Sequence, residues 1–189
     1  AIAAHCVWTT PEDWALLAEK GVSAVHNPVS NLKLGSGVAP VVDLRGAGVN
    51  VALGTDGVAS NNNLNLLEEV KLFATLFKAT SADPTAISAR QALWAATRAG
   101  ALAQGREDCG LMRTGMRADL IVMDQRRRPY LRPCHDMVGN VVFAAQGSDV
   151  CLTMVDGRVL YRDGEYTTID LERAIRNAEA SARRIISEL

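Results

Sequence analysis

A chain of 189 residues with 20 Lys and Arg against 21 Asp and Glu carries a formal charge of −1. That balance gives no electrostatic reason to expect nucleic acid or an anionic membrane as partner, and no apolar run approaches the length that spans a bilayer. Four widely spaced cysteines, Cys6, Cys109, Cys134 and Cys151, form no Cys-x-x-Cys pair, so they read as thiols of a reducing, cytoplasmic compartment rather than a disulfide framework or a structural zinc site.

Ala1-Ile2-Ala3-Ala4 is a short apolar run that leads into His5-Cys6. Thr10-Pro11-Glu12-Asp13 then opens a helix over 11–20, with proline suited to a first turn and acids to the positive end of the dipole; its inner face is Trp14, Leu17 and Ala18. A second apolar run, 22–25, leads into His26-Asn27-Pro28, and a third, 49–53, into Gly54-Thr55-Asp56-Gly57. Continuous apolar strands alternating with helices predict a parallel α/β sheet or barrel, in which the chemistry sits at the carboxyl ends of the strands. His5, His26 and Asp56 therefore share one rim. Asp56 is the residue to bind a metal or take a proton there, against the alternative that it caps a helix or closes a turn. Strand alternation turns Cys6 away from the rim. Pro28 sets a tight departure from the second strand, so that either His26 or Asn31 looks into the pocket, with residues 33–37 as a covering loop. Ser30 and Asn31 either brace that loop or line a substrate wall. Ser60 and Asn61, Asn62 and Asn63 lie on the ligand side or cap the helix that follows.

That helix spans 64–78, with Leu64, Leu67, Val70, Leu72, Ala74 and Phe77 docking inward and Glu68, Glu69, Lys71 and Lys78 outside. Asp83-Pro84 opens a helical stretch over 84–104, in which Leu93, Ala96, Ala99 and Leu102 share a face and Gly100 and Gly105 mark close packing and a stop. Residues 120–123, 150–155 and 158–161 read as strands, with Asp156-Gly157 as a two-residue hairpin turn. Arg126-Arg127-Arg128 reads as a solvated loop, His135 as a residue without function, and 169–188 as an amphipathic terminal helix.

His5-Cys6-Val7-Trp8, the segment His26-Asn27-Pro28-Val29-Ser30-Asn31 through Pro40, and Gly54-Thr55-Asp56-Gly57 with Ser60-Asn61-Asn62 resemble the sixth, seventh and eighth strand ends of the amidohydrolase superfamily, nearest its deaminases of 5′-methylthioadenosine and S-adenosylhomocysteine. Residues 115–124 and 154–158 resemble the small β-domain that follows the barrel. The resemblance implies an α/β fold: 1–80 as the last three strands and helices of a (β/α)8 TIM-type barrel, 81–115 as post-barrel helices, 116–165 as part of a β-sandwich, and 166–189 as a terminal helix. It implies a C-terminal fragment, inactive alone, that is oligomeric, aggregated or derived by proteolysis from a larger chain. It also implies one divalent ion, zinc, which acidifies a water. Asp56 alone can be carried over as a ligand, because the family's His-x-His pair, its third histidine and its general-acid glutamate have no counterpart among His5, His26 and His135. In that scheme Asp56 is also a proton acceptor and touches substrate, His5 orients the attacking water, and His26, Asn31 and Ser60 contact the purine nucleoside. The implied reaction is hydrolytic deamination of an adenine nucleoside to its hypoxanthine product and ammonia. A guanine or 8-oxoguanine deaminase, a chlorotriazine hydrolase and a non-catalytic structural fragment stand as alternatives.

Overall fold

In the computed structural model, which describes residues 1–126 and 128–188, the three apolar runs become strands β1 (Ile2–Ala4), β2 (Ser23–His26) and β3 (Val51–Leu53). They pair in parallel in that order, with Ala3 opposite Ala24 and Val25 opposite Ala52. β3 is buried along its length, as a strand covered on both faces must be. Ile2 of β1 is 52% exposed, because among the described residues β1 is an edge with β2 as its only sheet neighbour.

Helix α1 (Pro11–Glu19) starts where the sequence places it, on a capping box between Thr10 and Asp13, and Trp14, Leu17 and Ala18 pack partly against the core. The chain after Asn27 first makes a helix, α2 (Pro28–Lys33), with Pro28 at its first position, where a missing N–H costs nothing, and the loop expected over 33–37 follows it from Leu34. Helix α3 (Val41–Gly46) sends Val41 and Leu44 into the core, and α4 (Val58–Asn61) is a single turn after Gly57.

The long helix α5 (Leu66–Ser81) begins on the Asn65 side chain, which accepts from the Leu67 N–H. Its inward stripe is Glu69, Val70, Phe73, Ala74 and Phe77, so Glu69, expected outside, is 1% exposed. The single helical stretch 84–104 is two helices, α6 (Ala89–Ala96) and α7 (Arg98–Ala103), parted at Thr97, whose φ of −120° and ψ of −88° are not helical. Asp83 spends its carboxylate on the Thr85 N–H and hydroxyl, and α6 starts later, on a capping box between Ser88 and Gln91. Ala92, Ala95, Ala99 and Ala101 are the buried residues of this pair, small enough to bring both helices close to β3, whereas Leu102 is exposed.

Helix α8 (Met137–Phe143), capped by Asp136, buries Val142 in the same core. The chain therefore divides differently from the expected 116–165 block: 125–149 belongs with 1–116, and 117–124 with 150–189. Within 125–149 the basic run is not simply solvated. Arg128 Nε lies 2.6 Å from Oδ1 of the buried Asp149, which also accepts from the Tyr130 hydroxyl, because a buried carboxylate needs partners. Arg127 lies outside the described residues.

The second unit is one antiparallel sheet, β4 (Leu120–Met123), β5 (Val150–Val155), β6 (Arg158–Arg162) and β7 (Glu165–Tyr166), in that order, followed by α9 (Leu171–Ser187). Asp156 and Gly157 turn the β5–β6 hairpin at φ of 51° and 76°, and Asp163-Gly164 repeats the device at 48° and 102°. Among the described residues this unit holds one sheet, and no helix is long and apolar enough to cross a membrane.

Candidate active site

Two of the three strand-end residues come together. β1 stops at Ala4, and His5 and Cys6 adopt left-handed φ of 66° and 48° while the His5 N–H still donates to the Val25 carbonyl of β2 at 2.9 Å. Asp56, three residues past β3, is also left-handed, with φ of 58°. Histidine and aspartate tolerate this region better than most residues. The result is His5 Nε2 at 3.9 Å from Asp56 Oδ2. The double turn also voids the strand alternation expected for Cys6: its side chain packs on the core, the thiol donates to the Ala3 carbonyl at 3.5 Å, and burial pushes its pKa up.

Asp56 Oδ2 accepts from the Ser30 hydroxyl at 2.6 Å and the Ser60 hydroxyl at 2.7 Å. These two bonds, Ser30's first, with help from the Gly57 N–H and the charge of His5, lower the Asp56 pKa to about 2 against a small opposing effect of desolvation. Asp56 is therefore an anion across the neutral range. It stays a third exposed, so the charge faces solvent.

On the other side of the gap, His5 Nδ1 is 2.7 Å from Asn31 Oδ1, and Asn31 Nδ2 is 3.5 Å from His26 Nδ1. Asn31 donates only through nitrogen, so the network sets a proton of His5 on Nδ1, and in the neutral form of the ring Nε2 is the acceptor. The 3.4 Å approach of Asn27 Nδ2 to the same Nδ1 is too long to outweigh it. With the ring neutral, two acceptors face each other across 3.9 Å, and what suits the space between them is a water O–H or a cation. Among the described residues no third His, Cys, Asp or Glu completes a metal cage, so the chain offers a cation one carboxylate, Asp56, with His5 beside it. That fits one part of a divalent-metal site.

His26 corrects the expectation of a substrate contact. Its ring is 2% exposed, packed 6.1 Å from Phe73 and 5.5 Å from Phe77, and its Nε2 has no hydrogen-bond partner. Burial first, and the charge of His5 second, lower its pKa to about 4, which keeps it neutral. Of the two alternatives at this strand end, Asn31 is the one that reaches the rim, but it is also buried and spent between two imidazoles, so it holds His5 rather than presenting a free amide. Ser60 likewise has its hydroxyl on Asp56 and is not free for a ligand. The asparagines after Asp56 divide: Asn63 accepts from the Asn65 N–H, Asn62 ends α4, and Asn61 turns inward. Lys33 reaches the Ala59 carbonyl at 3.0 Å and Asn62 Oδ1 at 2.6 Å, tying α2 to α4. The turn at Gly35 and Gly37 lies against Val7, since a Cβ on Gly37 would meet Val7 Cγ1 at 2.9 Å. His135 is exposed and joins none of this.

The residue that the sequence does not announce is Glu69. Its Oε2 accepts from the Val29 N–H at 3.1 Å and its Oε1 from Asn61 Nδ2 at 2.6 Å, while burial pushes its pKa above the usual carboxylate range against those two bonds. An acid in a helix otherwise lined by charge on one side reads as solvated. Only the placement of α2 and α4 reveals the two donors that draw it in.

Known proteins are similar to this chain. Residues 1–160 match the model of the amidohydrolase family. A 5′-deoxyadenosine deaminase of Methanosarcina mazei is 47% identical over 188 residues, which is all of this chain and 43% of that protein. A 5-methylthioadenosine/S-adenosylhomocysteine deaminase of Moorella thermoacetica is 51% identical over 172 residues, 90% of this chain and 40% of the relative. A crystal structure of an adenosine deaminase from Xanthomonas campestris with bound zinc superposes with a TM-score of 0.94 at 38% identity, covering 98% of this chain and 42% of that one. The chain thus spans less than half the length of the relatives it matches.

Proposed function

The chain belongs to the amidohydrolase family, and on that premise we propose that it is the C-terminal part of a zinc-dependent, cytoplasmic deaminase of adenine nucleosides of the 5′-deoxyadenosine or 5′-methylthioadenosine type. In this reading β1, β2 and β3 are the last three strands of a (β/α)8 barrel, and the His5 to Asp56 gap is on its catalytic rim. The observation that carries the proposal is that gap: an ionised carboxylate and an imidazole nitrogen, 3.9 Å apart at the ends of parallel strands.

Asp56 would hold the ion through its carboxylate, and the ion, when bound, would supply the acidity that makes water a nucleophile near neutral pH. A carboxylate with a pKa of about 2 is a weak base, so Asp56 serves best as a fixed negative charge and holds a proton only in passing to the departing amine. His5 Nε2 accepts a hydrogen bond from the attacking water and aims it at the purine carbon, with Asn31 fixing the ring through Nδ1. Ser30 and Ser60 keep the carboxylate ionised and aimed. Substrate contact from this chain falls to Asp56 and His5.

The test is a substrate panel on the complete chain loaded with zinc: 5′-deoxyadenosine, 5′-methylthioadenosine, S-adenosylhomocysteine, adenosine, guanine and a chlorotriazine, followed by ultraviolet absorbance and ammonia release. The proposal expects the adenine nucleosides to be turned over with kcat/KM well above guanine and the triazine. Turnover confined to guanine or to the triazine would assign the site to another branch of the family.

A further inference from the structure

We infer that Glu69 is the positioning residue that holds Asp56 and both of its serine donors in place. The inference rests on the reading above for its link to catalysis, but its geometry stands alone. Three peptide segments converge on the Asp56 carboxylate, and each is gripped one residue away by the Glu69 assembly. Val29, which donates its N–H to Glu69 Oε2 at 3.1 Å, precedes Ser30. Asn61, which donates Nδ2 to Glu69 Oε1 at 2.6 Å, follows Ser60. The same Nδ2 donates at 2.7 Å to the carbonyl of Thr55, which precedes Asp56.

The assembly has one arrangement. Turning the Asn61 amide over would set its oxygen against Glu69 Oε1 and the Thr55 carbonyl together, so the nitrogen must face both. Asn61 is 5% exposed and Glu69 1%, so water cannot replace either partner. Glu69 rides on α5, whose same stripe packs Phe73 and Phe77 against the core and thereby fixes the carboxylate from behind. It also supplies the acceptor that the first turn of α2 needs, since Asn27 makes no side-chain cap there. A shell residue of this kind sets the orientation of a ligand without touching the ion, and its loss costs about 10–100-fold in metal affinity or activity.

The experiment uses Glu69→Gln in the complete chain. Glutamine keeps the volume but presents one acceptor and one donor, so it can serve Val29 or Asn61 and not both. The expected results are a zinc affinity lowered about 10–100-fold by competition with a chelator, a kcat lowered by a similar factor with KM nearly unchanged, and crystallographic loss of at least one of the Ser30 and Ser60 contacts to Asp56. Asn61→Ala, which removes the shared donor while leaving the Glu69 charge, is expected to act in the same direction and serves if the first variant does not fold. Val142→Ala, in the same core but away from the rim, is expected to lower thermal stability without moving zinc affinity, kcat or KM. Unchanged zinc affinity and intact serine contacts in both site variants overturn the inference, as does an equal loss of zinc affinity in Val142→Ala. A wild-type chain that deaminates none of the nucleosides refutes the functional reading instead, and the crystal structures and zinc titrations then still decide the role of Glu69.

Discussion

Lowering the pH from 7 to 5 should destabilise the protein through His26 alone by an amount that the structure sets. The folded pKa is lowered to about 4 from an ordinary 6.5, so between those values the unfolded chain binds a proton that the folded one refuses. Stability from this group is fully present above 6.5, falls as the pH drops below that value, and stops falling below about 4. Between pH 7 and 5 the linkage integral gives a loss of about 2 kcal/mol. The Asp56 shift runs in the same direction but acts between its ordinary 3.8 and about 2, beneath this window. The raised pKa of Glu69 acts with the opposite sign, since protonation relieves its burial as the pH falls. Comparison with His26→Gln, which cannot ionise and keeps an acceptor for Asn31, cancels the contributions of other groups. The assay is the urea midpoint of both proteins at the two pH values, with equal slopes required before midpoints are compared. The wild type should lose about 2 kcal/mol more than the variant. An equal loss in the two proteins, or a His26 resonance titrating near 6.5, would refute the buried, neutral imidazole.

Asp56→Asn in the complete chain should abolish turnover and lower zinc content, whereas His5→Asn should leave zinc bound and cut kcat by about 10²–10⁴-fold; the reverse pattern in elemental analysis and kinetics would exchange their roles. Gly54→Ala would put a Cβ 2.5 Å from Asn27 Oδ1 and 3.1 Å from Val25 Cγ1, and should cost about 1–3 kcal/mol in thermal unfolding; a neutral effect would mean that the β3 exit is looser than described. Residues 1–189 alone leave Trp8 88% and Leu34 61% exposed, together with the β1 edge, so sedimentation should find self-association, and a monodisperse monomer would contradict it.

What could be read from the sequence followed local rules. Asp56 after an apolar run, Thr10 before Pro11, and Asp156-Gly157 between strand patterns each announce themselves within a few residues, and each is where it was expected. Two further local signals are Ser88 with Gln91 three residues on, which starts α6, and Asp163-Gly164, which turns into β7. The rest is not local. Glu69 looks solvated until α2 and α4 bring it two donors, and His26 looks like a rim residue until Phe73 and Phe77 close over it. The return of 125–149 to the first unit is likewise decided by α8 packing, through Val142, into a core assembled from earlier residues.

The most direct test of the central claim is the source of the oxygen in the product. The complete, zinc-loaded chain is given 5′-deoxyadenosine in water enriched in heavy oxygen, and the purine product is weighed by mass spectrometry beside a count of ammonia. Hydrolytic deamination at the His5 and Asp56 rim predicts one solvent oxygen in each hypoxanthine product, one ammonia per turnover, and neither in Asp56→Asn. Full turnover by Asp56→Asn, or release of free adenine without ammonia, would contradict the account.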